Sequence, residues 1–266
     1  MVKIFLLAVL VIFTITVSSQ DTIYNTFDKN GLRTGYWKSY YENGGLRYSG
    51  FFINGKPAGQ MKKYYKGGLL QADMFFDQAG IRSYVKMFNE QGKLIAEGKY
   101  IEKIKDSTWN YYSTWDGRLA MLETYKNGKK DGISSKFYSN GKTSEILEWK
   151  DDAEHGKWEQ YFENGDLRLN CSFVEGKKSG KFQSFYPGGI KSITGEYKNG
   201  MMDGKWIYFT EKGEEVFFIE YIDGKMLPNK VSETQTEEFS RMVEETAKKA
   251  GVDIENYPDT EEMNPF

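Results

Sequence analysis

The chain has 266 residues, 36 of them basic and 38 acidic, for a net charge of −2, and 16 % of it is aromatic. That near balance excludes the strongly basic footprint of a nucleic-acid-binding protein. Cys171 is the only cysteine, so no internal disulfide is possible and stability must come from packing.

Met1 and Lys3 precede an apolar run from Ile4 to Phe13, followed by Thr14, Thr16, Ser18 and Ser19. Residues 1–19 therefore read as a secretory signal peptide, with Val17 and Ser19 suiting the small-residue rule and a mature start near Gln20 or Asp21. The run is too short to span a bilayer core of roughly 30 Å as a lasting anchor. A single amino-terminal anchor helix is the alternative. No cysteine follows closely, which argues against lipid anchoring. An exported protein is expected, in the periplasm, at the outer membrane or outside the cell.

Residues 20–34 form a half-unit, with Asn30-Gly31 as its turn. From Gly35 to about residue 226 one phrase recurs. Gly35, Gly59, Gly132, Gly156, Gly180 and Gly204 open units, and Ser83 and Ser107 stand where the glycine is replaced. Each opening follows the last by 24 residues, except that Gly132 follows Ser107 by 25. A repeat of this length is a supersecondary unit that cannot bury its own apolar face and must stack on its neighbours.

Each unit reads as two strands. A first turn falls at Asn43-Gly44, Gln91-Gly92, Asp116-Gly117, Asn140-Gly141 or Asn164-Gly165, a pairing that favours the positive φ of two-residue hairpins. A second turn falls at Asn54-Gly55, Asn127-Gly128, Glu175-Gly176, Asn199-Gly200 and Asp223-Gly224. The second strand alternates, as in Leu169, Cys171, Phe173 and Ile193, Gly195, Tyr197. Glycine in the middle of such triplets leaves room for a large neighbouring ring. Glu123 and Glu145 break the alternation. In the first strand an aromatic residue stands five after each opening, from Tyr40 to Phe209, while Trp37, Trp109, Trp158 and Trp206 stand two after. Those offsets cannot share a face of a regular strand, so either a bulge shifts the phase or both faces carry apolar groups.

The phrases Gly35-Tyr36-Trp37-Lys38-Ser39-Tyr40-Tyr41-Glu42-Asn43-Gly44 and Gly156-Lys157-Trp158-Glu159-Gln160-Tyr161-Phe162-Glu163-Asn164-Gly165 resemble the MORN-repeat variant family. The resemblance runs from Gly35 to about Lys225 and implies an all-β, elongated antiparallel meander of about eight hairpin repeats and sixteen strands. Many bacterial members are catalogued as YwqK-type antitoxins, and eukaryotic relatives resemble scaffolds or lipid-facing modules. No catalytic residue carries over.

Beyond the repeats, residues 227–252 suit a short capping helix. Ser232 with Gln235 or Thr234 with Glu237 can act as a capping box, Phe239, Met242, Val243, Ala247 and Ala250 share one face, and Gly251 suits its stop. Its expected role is to cover the last strand's open edge, the alternative being partner binding. From Lys230 to Phe266 the charge is −6, and residues 253–266 are expected to be acidic and disordered.

His155 lies near Asp151, Asp152 and Glu154 but occupies an ordinary turn position, so no metal site is assigned. Cys171 sits in the middle of an inward triplet and reads as a small apolar residue rather than a nucleophile. No cofactor is expected. The binding candidate is the aromatic row Tyr41, Tyr65, Tyr138, Phe162 and Tyr186, each directly after the offset-five ring. It is either an open recognition ladder or partly buried by the curl of the sheet. The expected function is a non-catalytic binding or scaffold protein of the cell envelope recognising a protein or glycan. The alternatives are an antitoxin-like or immunity protein and a lipid-contacting module.

Overall fold

A computed structural model describes residues 23–227 and Arg241. The expected signal peptide, capping helix and acidic tail lie outside the described residues, apart from Arg241. The strands are β1 (Thr26–Phe27), β2 (Arg33–Tyr40), β3 (Leu46–Ile53), β4 (Lys56–Tyr64), β5 (Leu70–Phe76), β6 (Arg82–Phe88), β7 (Leu94–Ile101), β8 (Ile104–Tyr112), β9 (Leu119–Lys126) and β10 (Lys129–Lys130). They continue as β11 (Gly132–Phe137), β12 (Thr143–Lys150), β13 (Ala153–Tyr161), β14 (Leu167–Val174), β15 (Lys177–Phe185), β16 (Lys191–Lys198), β17 (Met201–Phe209), β18 (Glu215–Ile222) and β19 (Lys225–Met226). Consecutive strands pair antiparallel, except that β10 and β11 both pair with β9, giving one elongated meander. The two-residue β1, β10 and β19 are the excess over the sixteen strands of the repeats.

The two kinds of turn differ in a way the Asn-Gly pairs did not reveal. At Asn54-Gly55 both residues have positive φ, 49° and 78°, and Ile53 pairs with Lys56, so this is the two-residue hairpin. The first turns are longer. Gly44 N–H donates to Tyr41 C=O and Tyr41 N–H to Gly45 C=O, and of the pair only Gly44 is left-handed. This is a type I turn closed by one αL glycine, so the expectation of two-residue turns at Asn43-Gly44 and its equivalents is corrected. Asp28 to Leu32, before β2, form a loop of the same kind.

The opening glycines owe their place to a bulge. Gly50 pairs with Met61 but Phe51 with Ala58, so Gly59 and Gln60 bulge out of β4, with Gly59 at φ 65°. The register steps similarly before Trp109, Trp158, Phe182 and Ile207. The two serine openings differ for a physical reason. β5 and β6 pair without a shift, so Ser83 needs no left-handed backbone, whereas Ser107 adopts φ 60° in its bulge.

A second step decides the question left open about the first strand. Between Ser39 and Tyr40 the register shifts, but the extra residue is Arg47 in β3; along β2 the pairing runs unbroken from Trp37 to Tyr40, three residues apart, so these two rings point to opposite faces. The same step, always in the second strand, precedes every offset-five ring, so the first strand carries apolar groups on both faces: Tyr112 and Tyr161 bond Glu97 and Glu159, on the face opposite Trp109 and Trp158.

The apolar face carries two clusters. One holds Ala72, Val85, Ala96 and Trp109, and the other Cys171, Phe182 and Trp206. The described residues form a single sheet, so long cationic side chains help to close this face over the rings. Lys105 Nζ lies 4.7 Å from the Trp109 ring and 4.8 Å from Tyr125, Lys130 lies 4.6 Å from Trp149, and the Arg33 guanidinium 4.5 Å from Phe52. Burial lowers the Lys105 pKa.

Between the clusters runs a polar seam. Glu123 is buried, with Lys130 Nζ at 2.5 Å and the Tyr125 hydroxyl donating at 2.6 Å. Glu145 takes Lys136 at 2.8 Å and Gln160 at 3.0 Å. A cavity of about 370 Å³ opens between these ion pairs and the Trp149 and Trp158 rings. Burial alone would raise the Glu123 pKa, but the Lys130 ammonium and the Tyr125 hydroxyl outweigh it and hold the carboxyl below its usual range.

Candidate functional site

The chemistry-bearing candidates fall first. Cys171 is 3 % exposed within the second apolar cluster, and burial pushes its thiol pKa up, away from the reactive thiolate. His155 lies on β13, in the bulge between the Trp149–Glu154 and Leu147–Trp158 pairs. Among the described residues no three His, Cys, Asp or Glu side chains converge in a way that could hold a metal ion.

The row Tyr41, Tyr65, Tyr138, Phe162 and Tyr186 is half-buried. Four of its members share one bond. Tyr41 OH donates to Tyr64 C=O at 2.7 Å, Tyr65 OH to Phe88 C=O at 2.8 Å, Tyr138 OH to Tyr161 C=O at 2.6 Å, and Tyr186 OH to Phe209 C=O at 2.9 Å. Each hydroxyl reaches one unit ahead, to the offset-five residue. The row is thus a ladder of ties between repeats, and Phe162 lacks the hydroxyl that makes the tie.

The exposed rings lie elsewhere, on the wet face of the first units. Tyr36 pairs with Phe51 across β2 and β3, Gln60 with Phe75 across β4 and β5, and Phe75 with Tyr84 across β5 and β6. Paired residues point to one face, so these side chains form a continuous row. Tyr36 is 53 % exposed, Phe75 64 % and Tyr84 40 %. The Tyr36 and Phe51 rings meet edge to face at 5.0 Å, with Tyr24 at 6.5 Å from Tyr36. An open groove of about 980 Å³ runs between them and the backbone of Gly59.

This row stops abruptly. At the same offsets the later units pair Thr108 with Thr124, Ile133 with Glu148, Lys157 with Ser172, Lys181 with Glu196, and Lys205 with Glu220, and no ring recurs. A polar wet face is what an antiparallel sheet needs, so the aromatic stretch is the departure. Comparing offsets one and sixteen between units would have found it. Attention to the rings present in every unit selects for structure and passes over those present in only a few.

At its inner edge the face carries a hydrogen-bonded carboxylate. Glu97 accepts from Tyr112 and from Asn110 at 3.2 Å, with Lys86 at 3.9 Å, and the Tyr112 bond foremost holds its pKa down. Such pairs give the protein an alkaline limit. Tyr84, Tyr125 and Tyr161 have pKa values pushed up to about 12, first by burial and then by bonds to Glu97, Glu123 and Glu159. Between pH 10 and about 12 the folded chain holds protons that the unfolded chain releases, so stability should fall as pH rises through that window. Unfolding midpoints in urea from pH 8 upward should stay level to near pH 10 and then drop, and Tyr161→Phe should make the drop shallower. A level profile to pH 12 would contradict this account.

No curated protein matches this chain significantly. Similar solved structures include an S. aureus TarM mutant in complex with fondaparinux, alpha-GlcNAc-glycerol and UDP, at 13 % identity and a TM-score of 0.28, covering 36 % of this chain and 19 % of that one. Another is TarM itself, at 15 % identity and a TM-score of 0.27, covering 35 % of this chain and 20 % of that one. This chain thus spans about a fifth of the length of either, and at that level the likeness says nothing of function. The family comparison agrees with the hairpins: the model of the MORN repeat variant matches residues 33–54, 130–151 and 154–175.

Proposed function

We propose that this chain is an exported, non-catalytic binding protein that captures another protein on the aromatic face of β2 to β6, in the manner of an antitoxin-like or immunity protein. One observation carries the reading: large rings stand exposed on the wet face of the first units, where later units have no ring and mostly lysine, glutamate, serine and threonine. Exposed tyrosine and phenylalanine in a contiguous patch make the anchoring centre of protein interfaces. The matched repeats favour a protein partner over a glycan, since the family resemblance points to antitoxins. The row Tyr41, Tyr65, Tyr138, Phe162 and Tyr186 enters as a second contact strip, its rings half-exposed although four of its hydroxyls are engaged. Neutralisation needs no chemistry here. A sheet laid over a toxin's working surface excludes its substrate by occupancy.

The test uses the mature chain and the product of any toxic gene beside it. Co-expression should relieve growth arrest, and Tyr36→Ala with Phe75→Ala should weaken binding by roughly a hundredfold, as loss of two anchors does. Both side chains are largely exposed, so the unfolding midpoint should hardly move. Relief of arrest that is indifferent to this double variant would place the partner elsewhere.

A further inference from the structure

We infer that the surface received by this face is acidic as well as apolar, and that Lys38 and Lys62 select it, an inference that rests on the reading of protein capture. Charge is distributed unevenly along the repeats. Residues 33–101 carry 11 basic and 5 acidic side chains, a net +6, whereas residues 102–226 carry 19 basic and 21 acidic, a net −2. The exposed rings thus lie in the basic part of an otherwise slightly acidic sheet.

Register puts part of that charge on the same face as the rings. Lys38 pairs with Ser49, Ser49 with Lys62, Lys62 with Asp73, and Asp73 with Lys86, one step along from the row of Tyr36, Phe51, Phe75 and Tyr84. The carboxylates of this second row are already engaged. Gln60 Nε2 donates to Asp73 Oδ1 at 3.0 Å, and Glu97 is held by Tyr112, Asn110 and Lys86. Lys38 Nζ lies 4.0 Å over the Tyr24 ring, and neither it nor Lys62 enters an ion pair among the described residues.

The complement of this face is a surface with apolar anchors flanked by carboxylates. Across the four strand spacings from β2 to β6 the row is about 19 Å long, the breadth of a protein contact rather than of an enclosed ligand site. Rim cations raise the rate of encounter and reject like-charged partners, while the rings set the lifetime of the complex. Asp73 and Glu97 among the lysines make the charge a mosaic. That suits a protein surface better than the uniform negative charge of an anionic bilayer.

The probes are two short synthetic peptides, one alternating glutamate with phenylalanine and leucine and the other carrying lysine for glutamate, with vesicles of phosphatidylglycerol and phosphatidylcholine alongside. The full mature chain should bind the acidic peptide and not the basic one, and binding should weaken about tenfold or more between low and roughly 0.5 M salt. Lys38→Gln with Lys62→Gln should weaken it similarly, whereas Lys181→Gln with Lys205→Gln, in the later units, should not. Equal binding of both peptides, indifference to the Lys38 and Lys62 changes, or sedimentation with the anionic vesicles in preference to the peptide would overturn the inference. Failure here is distinct from failure of the functional reading. A partner whose capture needs Tyr36 and Phe75 but ignores the lysines removes only the charge selection.

Discussion

Replacing Trp109 by alanine should destabilise the protein by about 3–5 kcal/mol, the range for removing a fully buried large aromatic side chain. Trp109 is 0 % exposed and is the largest fully buried side chain among the described residues. Its ring meets Tyr100 at 4.9 Å, lies tilted against Tyr111 at 6.4 Å, and carries Lys105 above it, while its Nε1 donates to Lys99 C=O at 3.1 Å. Alanine would open a cavity under Lys105 and leave that carbonyl without its donor. Trp109→Phe keeps a ring and should lose less. Trp115, 90 % exposed in the lengthened turn of the same unit, is the internal control: its replacement by alanine should stay within about 0.5 kcal/mol. Urea unfolding followed by far-ultraviolet circular dichroism measures all three. A Trp109→Ala loss below about 1 kcal/mol would mean that the stabilising contacts of this sheet lie elsewhere.

Most of the fold was legible because a repeat presents the same solution eight times. The alternation in Leu169, Cys171 and Phe173 marked a strand with one buried face, and Cys171 and Phe173 are indeed buried. The recurring glycine at each opening marked a special backbone. What it marked was not legible, since a bulge and a tight turn both call for positive φ, and only pairing distinguishes them. Ser83 and Ser107 look alike in the sequence and differ in register. Glu123 and Glu145 were visible as breaks in a pattern, but their compensating partners Lys130 and Lys136 lie on other strands. The hydroxyls of Tyr41, Tyr65, Tyr138 and Tyr186 reach backbone carbonyls 23 residues on, and a carbonyl has no signature in a sequence. The aromatic face was hidden differently. Its residues are ordinary strand formers, and their exposure follows from the face they occupy.

Gly98→Ala should be the most damaging small substitution in the sheet, with Gly195→Ala beside it. A Cβ built on Gly98 would overlap Cγ, Cδ2 and Cε2 of Trp109, and one on Gly195 would overlap Cδ2, Cε2 and Cε3 of Trp206. Neither glycine has a positive φ, so alanine meets no backbone objection and the whole effect is steric. Overpacking of this kind costs about 1–3 kcal/mol, and more where the obstructing ring cannot turn. Trp109 is hemmed by Tyr100, Tyr111 and Lys105, which puts Gly98 at the upper end. Gly92 shows the opposite case, since its Cβ would meet nothing within 4 Å but its φ is 78°. Gly92→Ala should therefore cost only the left-handed backbone penalty, about 1–2 kcal/mol. A double-mutant cycle separates sterics from general weakening of the strand. In a Trp109→Ala background Gly98→Ala should be nearly neutral, so the coupling should approach the full single-variant loss, whereas Gly92→Ala should add independently. Equal losses for Gly98→Ala with and without the indole would show that the glycine is there for another reason than the ring.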